Sequence, residues 1–239
     1  MLEFEDLAYE EAGNYAGLTL RKYPPLVIFI DECHQLKRPV QDALLTMTEP
    51  TEKRAILPLF AADMSNATFL FATTDIGQMA KPLKTRAREI NLQPYEPEEI
   101  AEILGRIHKG WSPVVRRLLA FAGRLTPRIA KERAKDLDRI LKQDFEGQKP
   151  NENLVLGIMK EEWGQDRNGM TERDRRYLKV VADAKGAIGG ENIAQQLGIE
   201  VAEAENDIEP FLLRLGLLRK GPTGRELTER GRGFLESTE

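Results

Sequence analysis

Cysteine is nearly absent: Cys33 is the one cysteine in 239 residues, which excludes an internal disulfide and fits a reducing compartment. Histidine is almost as scarce, and neither His34 nor His108 has neighbours at metal-ligand spacing. No apolar run approaches the ~18 residues of a membrane span, and no charged-then-apolar leader opens the chain. The protein is therefore expected to avoid membranes and to be cytoplasmic. Internal repeats and low-complexity tracts are missing too, which removes solenoid and collagen-like architectures. One further absence bears on chemistry. Gly-x-x-x-x-Gly-Lys-Ser/Thr occurs nowhere, and only Gly13 and Gly17 precede Leu26, so residues 1–239 do not encode the loop whose backbone N–H groups and lysine cradle phosphates.

What is present suffices for two or three modules, with 41% hydrophobic and 31% charged residues. The net charge of −4 is no argument for nucleic-acid binding, although a local basic patch can act within an acidic chain. The informative stretch is Leu26-Val27-Ile28-Phe29-Ile30, followed at once by Asp31 and Glu32. A run apolar at every position suits a strand covered on both faces inside a parallel α/β sheet, with its start marked by Pro24-Pro25. Ligands of such sheets sit beyond the carboxyl ends of the strands, where Asp31 and Glu32 emerge. The stretch looks like a Walker B element: one carboxylate holds Mg²⁺, often through water, and the other orients or deprotonates an attacking water. A buried strand whose acidic pair merely opens the next turn fits the same residues.

Along the chain, 3–22 reads as helical for part of its length, and Arg38 to Met47 as a helix returning across the sheet. Ala67 to Ala72 reads as a second buried strand ending in Thr73-Thr74-Asp75 at the same edge, and 89–93 as a short β segment. Helices follow from Pro97 to His108, from Pro113 through Ala122 and from Pro127 to about Lys142, the last two opened by a hydroxyl residue before an N1 proline. A loop covers 145–153, a short helix runs from Val155 to Trp163, and 164–169 is a polar connector. Helices over 171–184, 191–197 and 201–215, then a hairpin with a Gly/Pro tip, form a winged-helix pattern.

The order Phe29-Ile30-Asp31-Glu32-Cys33-His34-Gln35-Leu36, Ala72-Thr73-Thr74, Pro82-Leu83-Lys84-Thr85-Arg86, Thr126-Pro127-Arg128-Ile129-Ala130, then a winged helix, resembles the RuvB-type Holliday-junction branch-migration motors of the AAA+ class. The resemblance implies an α/β fold in three parts. These are a parallel-sheet AAA+ core over 1–93, incomplete at the amino end, a helical lid over 94–168 and a winged-helix DNA-binding domain over 169–239. It implies ATP and Mg²⁺ as cofactors, with Asp31 helping to hold the metal through water and Glu32 activating water. Thr74, with Thr73 as the second candidate, matches the sensor that reports on the γ-phosphate. Arg86 matches the arginine finger given to a neighbouring subunit, and Arg128 the sensor that couples the lid to the nucleotide. Lys220 and Arg225 flank the wing tip and are expected to contact phosphates of double-stranded or junction DNA. The partners implied are further copies of the chain in a ring and a RuvA-like junction binder.

Departures from the family pattern sharpen the expectations. Thr223 stands where the family has a wing-tip arginine, Ala87 where it has an aromatic, and Leu125 where it has a glycine. The segment 51–66 is shorter than the family's RuvA-gripping hairpin. Without the phosphate loop, the chain alone is expected to bind ATP poorly, and Phe69–Ala72 and Ile90–Leu92 lack the strand between them. Either the chain starts at an internal methionine of a longer reading frame, which is the preferred reading, or it closes the gap by other means. The alternative function is a non-catalytic AAA+-derived DNA-binding or ring-assembly subunit that lends Arg86 to a neighbour.

Overall fold

The computed structural model describes residues 7–145, 148–184 and 186–237. The chain divides into two compact units, 1–92 and 93–239, each described by itself. The first opens with an antiparallel hairpin, β1 (Glu10–Tyr15) and β2 (Leu18–Lys22). This corrects the partly helical reading of the segment, whose first residues lie outside the described ones. Its turn explains the strand: Ala16 (φ 53°) and Gly17 (φ 82°) both take left-handed backbone, the combination that matches the twist of a two-residue hairpin.

β3 (Leu26–Ile30) follows, then α1 (Arg38–Met47), β4 (Arg54–Ile56), β5 (Phe60–Asp63), β6 (Ala67–Phe71) and the single turn α2 (Lys81–Lys84). One sheet has the order β1-β2-β5-β4, and β3 pairs in parallel with β6 in a second. Tyr23, Ala55, Phe60, Ala62 and Met64 form one small core, and Cys33, Leu44, Met79, Ala80 and Leu83 another. The expectation that β3 is covered on both faces fails. Val27 is 70% and Phe29 62% exposed, with Leu70 beside them at 48%; among the described residues only the Ile28 and Ile30 face is packed. The β segment expected at 89–93 is absent as well, and Ile90 and Leu92 are exposed in unpaired chain.

The second unit begins with α3 (Pro97–Ile107), α4 (Pro113–Ala122), α5 (Pro127–Asp144) and α6 (Glu152–Glu161). Proline near each of the first three starts sets φ where no N–H is needed. Ser112 caps α4 through Val115 N–H at 3.3 Å. Then come α7 (Glu172–Asp183), α8 (Gly190–Leu197), α9 (Val201–Glu203), a π-helical segment Ala204–Ile208, α10 (Glu209–Arg214), the wing strands β7 (Leu218–Gly221) and β8 (Gly224–Leu227), and α11 (Glu229–Glu236). Lid helices and winged helix share one continuous core running from Ile100 and Leu137 to Tyr177 and Phe211. Gly224 (φ 135°) is obligatory, since a Cβ there would lie 2.4 Å from the Ile188 carbonyl.

Candidate nucleotide and DNA-contact sites

The parallel register Ile30↔Phe71 ends β3 and β6 together. Two further bonds, Ala72 N–H to the Ile30 carbonyl and Cys33 N–H to the Ala72 carbonyl, both 2.9 Å, carry the pairing past the strand ends. The acid turn therefore lies against Thr73-Thr74. Glu32 occupies left-handed backbone (φ 46°, ψ 44°), which for a non-glycine costs about 1–2 kcal/mol. Asp31 Oδ1 accepts the Glu32 N–H at 3.0 Å. The Glu32 carboxylate accepts from Thr74 Oγ1 at 3.2 Å and lies 3.2 Å from His34 Nδ1.

His34 Nδ1 also stands 3.0 Å from Thr73 Oγ1. Thr73 Oγ1 in turn accepts the Asp75 N–H at 3.0 Å, so Thr73 braces the turn while Thr74 faces the acid. Asp75 accepts from Gln78 Nε2 at 2.8 Å and Gly77 N–H at 2.9 Å. The Gln78 bond, ahead of the Gly77 amide, draws its carboxyl below the usual range. The sequence pattern puts His34 and Asp75 near this edge but gives neither a role; the signal for both is their position one or two residues past the motif acids and hydroxyls. Cys33 is 1% exposed, its thiol pushed up by burial, which makes it a packing residue rather than a nucleophile.

The donor set suits the metal-and-water end of a magnesium nucleotide. Asp31 is an exposed carboxylate bonded only within its own turn, and hard cations take such oxygens together with water and phosphate. Among the described residues no group of three or more His, Cys, Asp or Glu could hold a metal alone, so Asp31 acts with other oxygens or not at all. Gln41 fixes the surroundings: buried, it donates to the Leu36 carbonyl and accepts the Ala80 N–H, both at 2.9 Å. That joins the end of the acid turn to the start of α2.

Arg86, just beyond α2, does not project freely. Its guanidinium lies 2.6 Å from Glu49 and donates to the Leu45 carbonyl at the end of α1. Ala87 follows it in exposed chain without packing of its own.

In the second unit Arg128 sits in the first turn of α5, exposed. The residues ahead of it are strained: Arg124 (φ 53°) and Leu125 (φ 54°) are both left-handed. A glycine, the residue the resemblance implies at the position of Leu125, would take this backbone without strain. Strong contacts hold Arg124 and Leu125 in it without one. Arg124 is bidentate to buried Asp174 at 2.8 and 2.9 Å, donates to the Asp207 carbonyl at 2.8 Å, and stacks 4.3 Å over Phe211. Arg214 donates to the Leu125 carbonyl at 3.1 Å and to Thr126 Oγ1 at 3.0 Å. The Thr126 hydroxyl, expected as a helix cap, makes no cap bond; it ties the lid to the winged helix instead.

The wing requires a correction. Lys220 and Arg225 face each other across β7 and β8, but Arg225 is 8% exposed. Its Nε donates to Glu209 at 2.8 Å and its Nη2 to Glu209 at 3.2 Å and to Glu205. Glu209 is itself buried and also accepts from Tyr177 OH at 2.8 Å. Burial alone would press the guanidinium's pKa down; the bonds to Glu209 and Glu205 more than reverse this. A buried cation cannot lose these partners to meet a phosphate, so Arg225 is a structural residue. Lys220, half-exposed, lies 3.0 Å from Glu205 and 3.3 Å from Glu209. Thr223 occupies the exposed tip.

Comparison with known proteins adds to this geometry. The family described as RuvB C-terminal winged helix domain matches residues 167–236. The Holliday junction branch migration complex subunit RuvB of Leuconostoc mesenteroides is 30% identical, the match covering 94% of this chain and 67% of that protein. The subunit of the same name from Ehrlichia ruminantium is 27% identical over 94% of this chain and 71% of its own length. The structure of the Thermotoga maritima RuvB Holliday junction branch migration motor superposes with a TM-score of 0.65 at 30% identity, covering 88% of this chain and 69% of that one.

Proposed function

This chain belongs to the RuvB family, and on that premise we propose that it is an ATP-driven DNA translocase subunit that moves Holliday junctions in recombination and repair. The observation that carries the reading is the hydrogen bond at 3.2 Å from Thr74 to Glu32, made where two parallel strands end together beside Asp31. A carboxylate held by a hydroxyl at a sheet rim can take the proton of a water that attacks the terminal phosphorus as the bridging P–O bond breaks. Asp31 would hold Mg²⁺ through water, and the metal would neutralise charge on the phosphate oxygens. Thr74 links Glu32 to the γ-phosphate end of the site, with Thr73 and His34 bracing it.

Arg86 serves a neighbouring copy in a ring and must first leave Glu49, since a guanidinium stabilises the transferring phosphoryl only by direct contact. Arg128 couples the lid to the nucleotide. The bonds from Arg124 and Arg214 make lid and winged helix one body, so lid motion is delivered to DNA. The phosphate-loop motif does not occur in 1–239, and the decisive assay therefore supplies that segment. With it, ATP turnover stimulated by junction DNA is expected and is lost in Glu32→Gln; turnover that survives the substitution overturns the assignment.

A second reading, a non-catalytic ring subunit, rests on Arg86, which a ring subunit can lend to its neighbour once it leaves Glu49. It predicts that the chain stimulates a loop-bearing copy through Arg86 while hydrolysing nothing itself. Work on DNA puts either protein in the cytoplasm; no described helix is long and apolar enough to cross a membrane. Docking of a RuvA-like partner falls to the short hairpin β4–β5, whose Ile56 and Leu59 are 58% and 75% exposed.

A further inference from the structure

On the wing hairpin the cations are spent on acids of the same domain, while Arg176, Lys179, Arg230 and Arg232 elsewhere in the winged helix are exposed and have no ion-pair partner among the described residues. Arg219 pairs with Glu226, Lys220 with Glu205 and Glu209, Arg173 with Glu203, and Arg225 is buried. The lid helix α5 carries its free cations in a row. Lys131, Lys135, Arg139 and Lys142 are all exposed, and at 3.6 residues per turn they fall within an arc of about 80° on one side of the helix. Among the described residues Lys131, Lys135 and Lys142 have no ion-pair partner, and Arg139 has only Asp136 at 3.4 Å.

The helix also carries acids, and two border this face: Glu132 on one edge and Asp138 on the other, where it lines a shallow recess with Lys135, Arg139 and Lys142. Asp136 lies between Arg133 and Arg139, and Asp138 turns to His108 at 3.4 Å. Glu132 flanks the stripe in the first turns. At Lys142 the line enters a recess of about 470 Å³ that it shares with Lys149, Asp138 and Trp111, where Trp111 stacks on His108 at 4.0 Å. From Lys131 to Lys142 the helix rises about 17 Å, the axial length over which one strand of a duplex presents roughly five phosphates. Unpaired, exposed lysines can neutralise phosphates without first breaking an internal bond.

We propose that this face of α5 is a second phosphate-contact surface, along which one strand of a nucleic-acid duplex lies. It rests on the DNA-motor reading only for the identity of the polyanion, and it adds a contact that does not involve the wing. The contacts are to backbone and carry no sequence preference.

The test is a salt titration of duplex binding by fluorescence anisotropy, on the full chain and on a Lys131→Gln/Lys135→Gln/Lys142→Gln variant. Circular dichroism and the denaturant midpoint verify the fold, which exposed helix positions leave intact. The expected result is a log K against log salt slope shallower by roughly 2 to 3, from ~0.9 per lost contact, and affinity at least about tenfold weaker near 0.1 M salt. An unchanged slope with native-like binding would overturn the surface and leave the motor reading standing. So would loss of self-association without loss of DNA affinity, which would give the stripe to a neighbouring copy. A wild-type chain that does not bind duplex at all would overturn the motor reading, and the surface with it.

Discussion

Two glutamates show what position does to the same side chain. Glu32 stands at a sheet rim, solvent-facing, touched by one hydroxyl and one imidazole. Glu209 is 1% exposed, enclosed by Arg225, Lys220 and Tyr177. An ion with few, weak partners can exchange them for water, metal or phosphate. An ion buried among strong partners can only hold them, because removing one leaves an uncompensated charge in low dielectric. The contrast teaches that a charged motif residue is chemistry at a rim and scaffold in a core, whatever its place in a family pattern.

The largest effect should come from breaking the buried side of that comparison. Arg225→Ala is expected to lose about 3–5 kcal/mol of stability, since Glu209 stays buried without its main partner; denaturant unfolding followed by tryptophan emission measures it, and a loss below about 1 kcal/mol would mean the network is solvated. Tyr177 gives the pH dependence. Burial, and then the Glu209 carboxylate, hold its pKa above the ordinary tyrosine range, so the neutral hydroxyl stabilises the fold fully below about pH 10 and the contribution fades as pH rises further. Tyr177→Phe should cost about 1–2 kcal/mol near neutrality and flatten the alkaline arm of a stability–pH curve; an arm of unchanged steepness would shift the effect to other groups.

A smaller effect is expected at Arg86, whose pair with Glu49 is partly exposed: Glu49→Gln should lower stability by less than about 1 kcal/mol. If the pair merely parks the guanidinium, turnover in a ring-competent assembly should be kept or raised, whereas abolished turnover would make Glu49 part of the site. Least of all should Glu32→Gln change stability, by no more than ~0.5 kcal/mol, even as it stops turnover. A large loss of stability there would erase the distinction between the two glutamates.

Much of this was legible beforehand, for identifiable reasons. The β3 and β6 strands and the Asp31–Thr74 edge follow from local apolar runs that end in polar residues, and α3 to α5 from prolines at their starts. The β1–β2 hairpin escaped because Glu10 to Lys22 mixes polar and apolar residues without a clean period, and the first of its two left-handed turn residues is Ala16, which carries no turn signal beside Gly17. The bare Val27 and Phe29 face escaped for another reason: an apolar residue does not record whether something covers it. Arg225 was misplaced because pairing across a hairpin shows which residues are opposite, not which acids of a distant helix lie beneath them.

By itself, the order of residues determined the strand-end acids, the helix starts and the winged-helix pattern, because these depend on neighbours within a few positions of one another. Only the folded chain decided that Thr74 meets Glu32, that Glu49 holds Arg86, that Arg124 binds Asp174 fifty positions away, and that Arg225 is walled in while the α5 lysines stay free. Charge and hydrogen-bonding capacity are written in each side chain, but desolvation and choice of partner arise only when distant segments pack, and those two quantities separate a reactive ion from a structural one.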